Sequence, residues 1–102
     1  MIESDIQNNI RLELSKYGMV FRTNSGKVIT QDGRTINLLP KGFTDLLFCG
    51  FDGQVAFIEV KTETGKVRPE QTNFINMMKR YGYKAGVARS TDQAIKIIKG
   101  EI

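Results

Sequence analysis

The sequence predicts an α/β domain in which a central mixed β-sheet is flanked by helices. Three observations predict it. Stretches with helical spacing of apolar residues alternate with short β-prone segments. Two apolar runs, residues 46–49 and 54–58, are separated only by Gly50-Phe51-Asp52-Gly53, the pattern of a buried hairpin. A further β-prone run, residues 84–89, lies between two helical stretches.

Each element follows from its residues. A first helix is expected over residues 4–17. Ser4 and Gln7 fit a capping box, Ile6, Ile10 and Leu14 share one face, and Gly18 suits the stop. Residues 19–23 read as a strand. Residues 24–39 are polar and punctuated by glycine. Within them Val28-Ile29-Thr30 and Thr35-Ile36-Asn37 flank Gln31-Asp32-Gly33-Arg34, which predicts a small hairpin that projects from the domain instead of joining the main sheet. Residues 40–44 connect tightly into the next strand, and Gly42 lets the backbone pass close to a neighbour.

After the central hairpin, residues 62–68 form a loop. Pro69 suits the first turn of a second helix running to Tyr81, with Phe74, Met77, Met78 and Tyr81 as its apolar stripe and Gly82 as its end. Residues 84–89 form a strand. Ser90 and Gln93 fit a capping box for a last helix to Lys99, with Ala94, Ile95, Ile97 and Ile98 facing inward. The order is αβ-(hairpin insert)-ββαβα. At 102 residues the chain reads as one domain, residues 1–102.

Composition narrows the function. No apolar run approaches ~20 residues, and Met1-Ile2-Glu3-Ser4-Asp5 lacks a basic stretch leading into an apolar one, so a cytoplasmic protein without a membrane partner is expected. Cys49 is the only cysteine, which removes an internal disulfide and a cysteine-based zinc site. There is no histidine, so histidine-dependent nucleophilic catalysis and histidine metal clusters are excluded. Any metal must take oxygen ligands, which favours magnesium, manganese or calcium. The formal charge of +4 is unevenly placed. Residues 16–41 and 79–99 are basic, whereas residues 42–78 carry more acids than bases. An acidic spot within a basic chain suits a metal site over which a polyanion lies; lysines that merely solvate the surface are the plain alternative.

The acidic spot has a specific form. If Gly50 pairs with Gln54 across a three-residue loop, Asp45 lies directly opposite Glu59, with Cβ atoms about 4.5–5.5 Å apart. Two such carboxylates repel unless a proton or cation lies between them. Lys61 follows Glu59 by two positions and projects from the same strand face. Two carboxylates beside an amine can bind a divalent metal and handle an anionic substrate. For Lys61, a simple ion pair with Glu59 is the alternative.

In order along the chain, Glu3, Ile6-Gln7, Arg22-Thr23-Asn24-Ser25-Gly26, Gly42-Phe43-Thr44-Asp45, Glu59-Val60-Lys61, Gly65, Pro69-Glu70-Gln71 and Gly86-Val87-Ala88-Arg89-Ser90 resemble the virus-type replication–repair nuclease (VRR-NUC) domain, a branch of the PD-(D/E)xK nuclease superfamily. The resemblance implies a restriction-endonuclease-like fold. It implies a metal-dependent DNA endonuclease using Mg²⁺ or Mn²⁺, acting on branched DNA such as four-way (Holliday) junctions, as a homodimer. The chain is similar to the stand-alone phage or bacterial type, which would work in the host cell cytoplasm if phage-encoded.

The resemblance also implies roles. Asp45, Glu59 and the Val60 carbonyl would ligate the metal. Lys61 would stand by the attacking water or scissile phosphate. Gln71 would reach the same centre, and Glu3 would hold a metal-bound water or help bind a second metal; from the sequence alone Asp5 is an alternative, and an acid that merely favours the helix dipole is the plain reading. Gln7, Asn24, Ser25, Lys41, Lys66 and Arg68 are candidate DNA contacts, and the basic insert is a DNA-facing arm or a dimer contact. Two positions depart from the family pattern: Arg68 stands where a serine or threonine cap is common, and Thr44, not proline, precedes Asp45. A non-catalytic DNA-binding module with the same fold, and a nuclease for flaps, nicked duplex or RNA, are the alternative readings.

Overall fold

In the computed structural model, all residues are described except for the side chain of Ser25. A four-stranded sheet carries the molecule. Its strands are β1 (Gly18–Arg22), β4 (Leu46–Gly50), β5 (Val55–Val60) and β6 (Lys84–Ala88), in the order β1-β4-β5-β6. The first three are antiparallel and β6 runs parallel to β5, so the sheet is mixed as expected. Strands β2 (Lys27–Ile29) and β3 (Thr35–Asn37) form a separate two-stranded ribbon, the projecting hairpin read from the sequence.

Alternation along the strands sends the two faces into different environments. Val20, Leu46, Phe48, Ala56, Ile58, Val60 and Ala88 meet helices α1 (Glu3–Leu14) and α3 (Thr91–Ile98), through Ile6, Ile10, Leu14, Ala94, Ile97 and Ile98. On the opposite face Phe57, Ala85 and Val87 pack against α2 (Pro69–Arg80) through Phe74, Ile75 and Met78. Phe43, Phe57 and Phe74 stack with ring centroids 4.7–5.8 Å apart, tying the segment before β4 to both β5 and α2.

The central hairpin has the expected register. Leu46 faces Ile58 and Cys49 faces Val55, and the Gly50 N–H donates to the Gln54 carbonyl at 2.8 Å across the three-residue loop.

Helix α1 corrects the expectation at both ends. It starts at Glu3, with Ile2 as an N-cap that makes no side-chain bond, so the Ser4–Gln7 capping box does not form. The Ile2 carbonyl instead accepts the N–H groups of Asp5 and Ile6, which places Ser4 inside the helix. The helix ends at Leu14, and Tyr17 lies in a turn beyond it. Gly18 is the first residue of β1 and not a helix stop. A Cβ there would come within 2.3 Å of the Cys49 carbonyl oxygen, so glycine is needed for close approach to β4.

The stripe on α2 also shifts. Gln71, Phe74, Ile75 and Met78 are buried at i, i+3, i+4 and i+7, whereas Tyr81 is the C-cap and is exposed. Gly82, at φ +95°, ends the helix as expected. At α3 the Ser90 hydroxyl accepts the Gln93 N–H, but the Gln93 side chain accepts from Arg89 N–H and not from Ser90, so the box is only half made.

Candidate active site

The site lies at the end of the sheet face that carries α2. Asp45 immediately precedes β4, and Glu59 is the fifth residue of β5. The hairpin register brings them together, and hydrogen bonds lock them. The Asp45 N–H donates to Glu59 Oε1 at 3.2 Å, and the Val60 N–H donates to Asp45 Oδ2 at 3.0 Å. The Asp45 carbonyl in turn accepts the Thr23 N–H at 2.9 Å, just past the end of β1. The acid is thus fixed from both neighbouring strands.

Glu59 is 2 % exposed, the most secluded carboxylate of the pair. Its Oε2 accepts from Gln71 Nε2 at 2.7 Å and faces Lys61 Nζ at 3.5 Å. Burial, and then the adjacent Asp45 charge, push its pKa up to about 7, with Lys61 acting in the opposite direction. A carboxyl held this way takes a proton near neutrality or a cation in the proton's place.

Gln71 is the hinge between helix and site. The N-cap of α2 is Arg68, whose guanidinium has no acceptor for a helix N–H. Gln71 supplies the cap from the other side: its Oε1 accepts the Arg68 N–H at 2.9 Å while its Nε2 holds Glu59. Gly42 brings the preceding segment against this turn. It has φ +89°, and a Cβ there would lie 2.2 Å from the Glu70 carbonyl oxygen, so only glycine fits.

The structure therefore brings together Asp45, Glu59, the Val60 main chain, Lys61 and Gln71. Glu3 is exposed in the first turn of α1, and among the described residues no third Asp, Glu, His or Cys joins the pair. Gln7 is half-buried on α1. Asn24 is exposed in a short 3₁₀ turn at φ 50°, and the Ser25 side chain lies outside the described part of the structure. Lys66 is exposed in the loop after β5. Lys41 and Arg68 line one cleft together with Gln71.

Arg89 was not read as a site residue, yet it organises the segment that follows Lys61. Its Nη1 donates to the carbonyls of Thr62 and Gly65, each at 2.7 Å, and to that of Glu63 at 3.3 Å. The Lys61 N–H is bonded to the Ala88 carbonyl at 3.1 Å, so both ends of this turn are anchored to β6 and its continuation. Lys27 and Asn37 were likewise missed as cleft residues. Neither contact leaves a local signal, because each joins segments far apart in the chain.

The donor set fits a hard divalent cation. Asp45 and Glu59 offer only carboxylate oxygens, they are adjacent, and the burial that raises the Glu59 pKa is relieved by a positive charge between them. With two acidic side chains, such an ion would keep substrate or solvent oxygens in its other positions.

A mixed sheet with two acids and an amine at one end defines a nuclease-type α/β fold. The VRR-NUC domain family model matches residues 18–92, most of the chain, and the chain belongs to that family. Glu3 and Gln7 fall outside the matched span. A solved structure described as a VRR-NUC domain is similar in fold, with a TM-score of 0.68 and 24 % identity over 98 % of this chain and 97 % of that one. No curated protein matches the chain.

Proposed function

We propose that the chain is a metal-dependent DNA endonuclease that hydrolyses phosphodiester bonds, with Asp45 and Glu59 holding Mg²⁺ or Mn²⁺. The observation that carries this is the opposed pair itself: two carboxylates locked face to face, one of them buried, with Lys61 3.5 Å from Glu59. When bound, such an ion polarises a phosphoryl oxygen and makes a coordinated water more acidic. The Val60 carbonyl and Glu3, the latter through water, are the proposed supplementary ligands.

The protein's own groups do the rest. Gln71 and the Asp45 N–H each hold one oxygen of Glu59, fixing its orientation before substrate arrives. Lys61, 13 % exposed at its side chain, is confined beside the acid. From there its ammonium would stabilise the charge growing on the scissile phosphate. Because the side chain is already desolvated, that interaction is stronger than it would be in bulk water.

The proposed substrate is branched DNA, four-way junctions in particular. One chain presents one such site and cuts one strand, so symmetric cutting of a junction needs two copies about a two-fold axis. The test is incubation of an end-labelled four-way junction with wild-type protein, with manganese and then with EDTA. Paired cuts that require manganese are expected. Binding without any cutting would turn the reading to a DNA-binding module; faster cutting of flaps, nicked duplex or RNA at equal concentration would reassign the substrate.

A further inference from the structure

Beside the carboxylate pair lies a cleft of about 320 Å³ that the hydrolytic chemistry does not use. Its volume is at the small end of the roughly 300–1,000 Å³ typical of ligand pockets, which suits one backbone unit and not a large ligand. Three separate elements build it: Lys27 and Asn37 from the hairpin arm, Lys41 from the connection before β4, and Arg68 and Gln71 from the start of α2.

Its charge calls for an anion. Three cations line the cleft against Glu70 alone, and the Arg68–Glu70 contact is a loose 3.5 Å. Among the described residues neither Lys27 nor Lys41 has an acidic partner within ion-pairing distance. Like charges gathered in one concavity repel until an anion fills it.

The cleft is also joined to the proposed chemistry. Gln71 lines it and donates to Glu59 Oε2 at 2.7 Å, so a group seated there is one side chain away from the carboxylate pair. Leu39 and Phe43 add apolar wall, which suits a sugar edge better than a free inorganic ion. Both jaws are fixed. Gly42 packs against the Glu70 carbonyl, and the Leu38 N–H closes the arm's base on the Gly26 carbonyl at 2.6 Å.

We propose that this cleft seats a backbone phosphate of the substrate strand next to the scissile one, with Lys27 of the hairpin arm and Lys41 opposite the start of α2 as its positioning cations. The proposal rests on the nuclease reading above. It makes the arm one jaw of a strand clamp.

The experiment is fluorescence anisotropy of a labelled four-way junction and a labelled single strand, in EDTA, from 50 to 200 mM salt. The proteins are wild type, Lys27→Ala, Lys41→Ala, the double variant, Lys27→Arg, and Lys99→Ala at the end of α3 as a distant control. Each cleft alanine is expected to reduce the slope of log affinity against log salt by about 0.7–0.9, equivalent to about five- to eightfold weaker binding at 0.1 M. Lys27→Arg and Lys99→Ala should keep the wild-type slope. Unchanged slopes in the cleft variants, or an equal loss in Lys99→Ala, overturn the clamp. Circular dichroism checks that each variant is folded, which exposed lysines favour. Wild-type cleavage with manganese is run in parallel: its absence overturns the nuclease reading alone, whereas wild-type slopes in the cleft variants overturn the clamp alone. No DNA binding by wild type overturns both.

Discussion

The consequences of the Asp45–Glu59 pair begin with protons. Glu59 has a folded-state pKa of about 7 against an ordinary value of 4.5. Between those values the folded chain holds a proton that the unfolded chain has lost. This group's contribution to the stability of the metal-free protein is therefore fully present below about pH 4.5 and is lost as pH rises through about 7, on the order of 3 kcal/mol in all. Thermal melts in EDTA across pH 5–8 should show this decline, and magnesium should flatten it; a melting temperature that rises with pH in EDTA would contradict the assignment. Asp45→Asn removes one negative charge while keeping an oxygen for the Val60 N–H. It should raise the metal-free melting temperature at pH 8 by a few degrees and abolish metal-dependent cutting. Lys61→Ala removes the only cation paired with Glu59 among the described residues. Cleavage should fall by at least about 10²–10³-fold, the loss seen when one preorganised charge-stabilising group is deleted. Anisotropy should find DNA affinity little changed, and wild-type cleavage by this variant would remove Lys61 from the mechanism.

At the scale of elements, the site depends on how strands and helices present these residues. The Asp45–Glu59 facing was legible because a hairpin's register is set locally, by the Gly50–Gln54 closure and the turn between them. The insert hairpin was legible for the same reason: its Asp32-Gly33 turn is a local signal, and Gly33 adopts φ +85°. The start of α1 was not, because the Ser4–Gln7 pattern competes with an Ile2 carbonyl that accepts helix N–H groups from two residues earlier. Tyr81 was misread because the apolar stripe of α2 ends before it, at Met78, while Ile75 takes the expected inward position. Least legible was Arg89, whose partners are 24 to 27 positions away. Its guanidinium gathers three carbonyls of the turn after Lys61. Arg89→Ala leaves those carbonyls without their charged donor and should cost about 1–3 kcal/mol. It should also lower kcat more than it raises KM, since Lys61 loses the frame that orients it. Because all three carbonyls meet the one Nη1 atom, an ammonium in the same place could reach them, so Arg89→Lys should recover more of the stability than Arg89→Ala retains. An Arg89→Ala protein with wild-type melting temperature and kcat would show that the turn holds itself.

On the scale of the whole molecule, the sheet is covered unevenly. One face is closed by α1 and α3, whereas α2 packs only on β5 and β6 of the other. On the uncovered half, Met19 and Phe21 of β1 are 60 % and 45 % exposed, in register with Cys49 and Leu47 of β4. The accessible surface is 6552 Å², against about 5,800 Å² for a typical monomer of this mass. The projecting hairpin contributes to that excess, and so does the bare half-sheet. The difference is similar to the ~800 Å² that each partner buries in a standard interface. The half-sheet adjoins the end that holds Asp45 and Glu59, so a two-fold contact across it would set two sites on one assembly, as symmetric junction cutting requires. We therefore expect wild type to sediment as a dimer at micromolar concentration. A Met19→Lys/Phe21→Lys variant should sediment as a monomer with an unchanged far-ultraviolet spectrum, because both side chains are already exposed. It should still nick single strands with manganese, but the paired cuts that resolve a junction should separate into independent events. A monomeric wild type that cuts in pairs, or a double-lysine variant that stays dimeric, would remove this face from the assembly and leave the exposed apolar ribbon of β2 and β3 as the surface to test next.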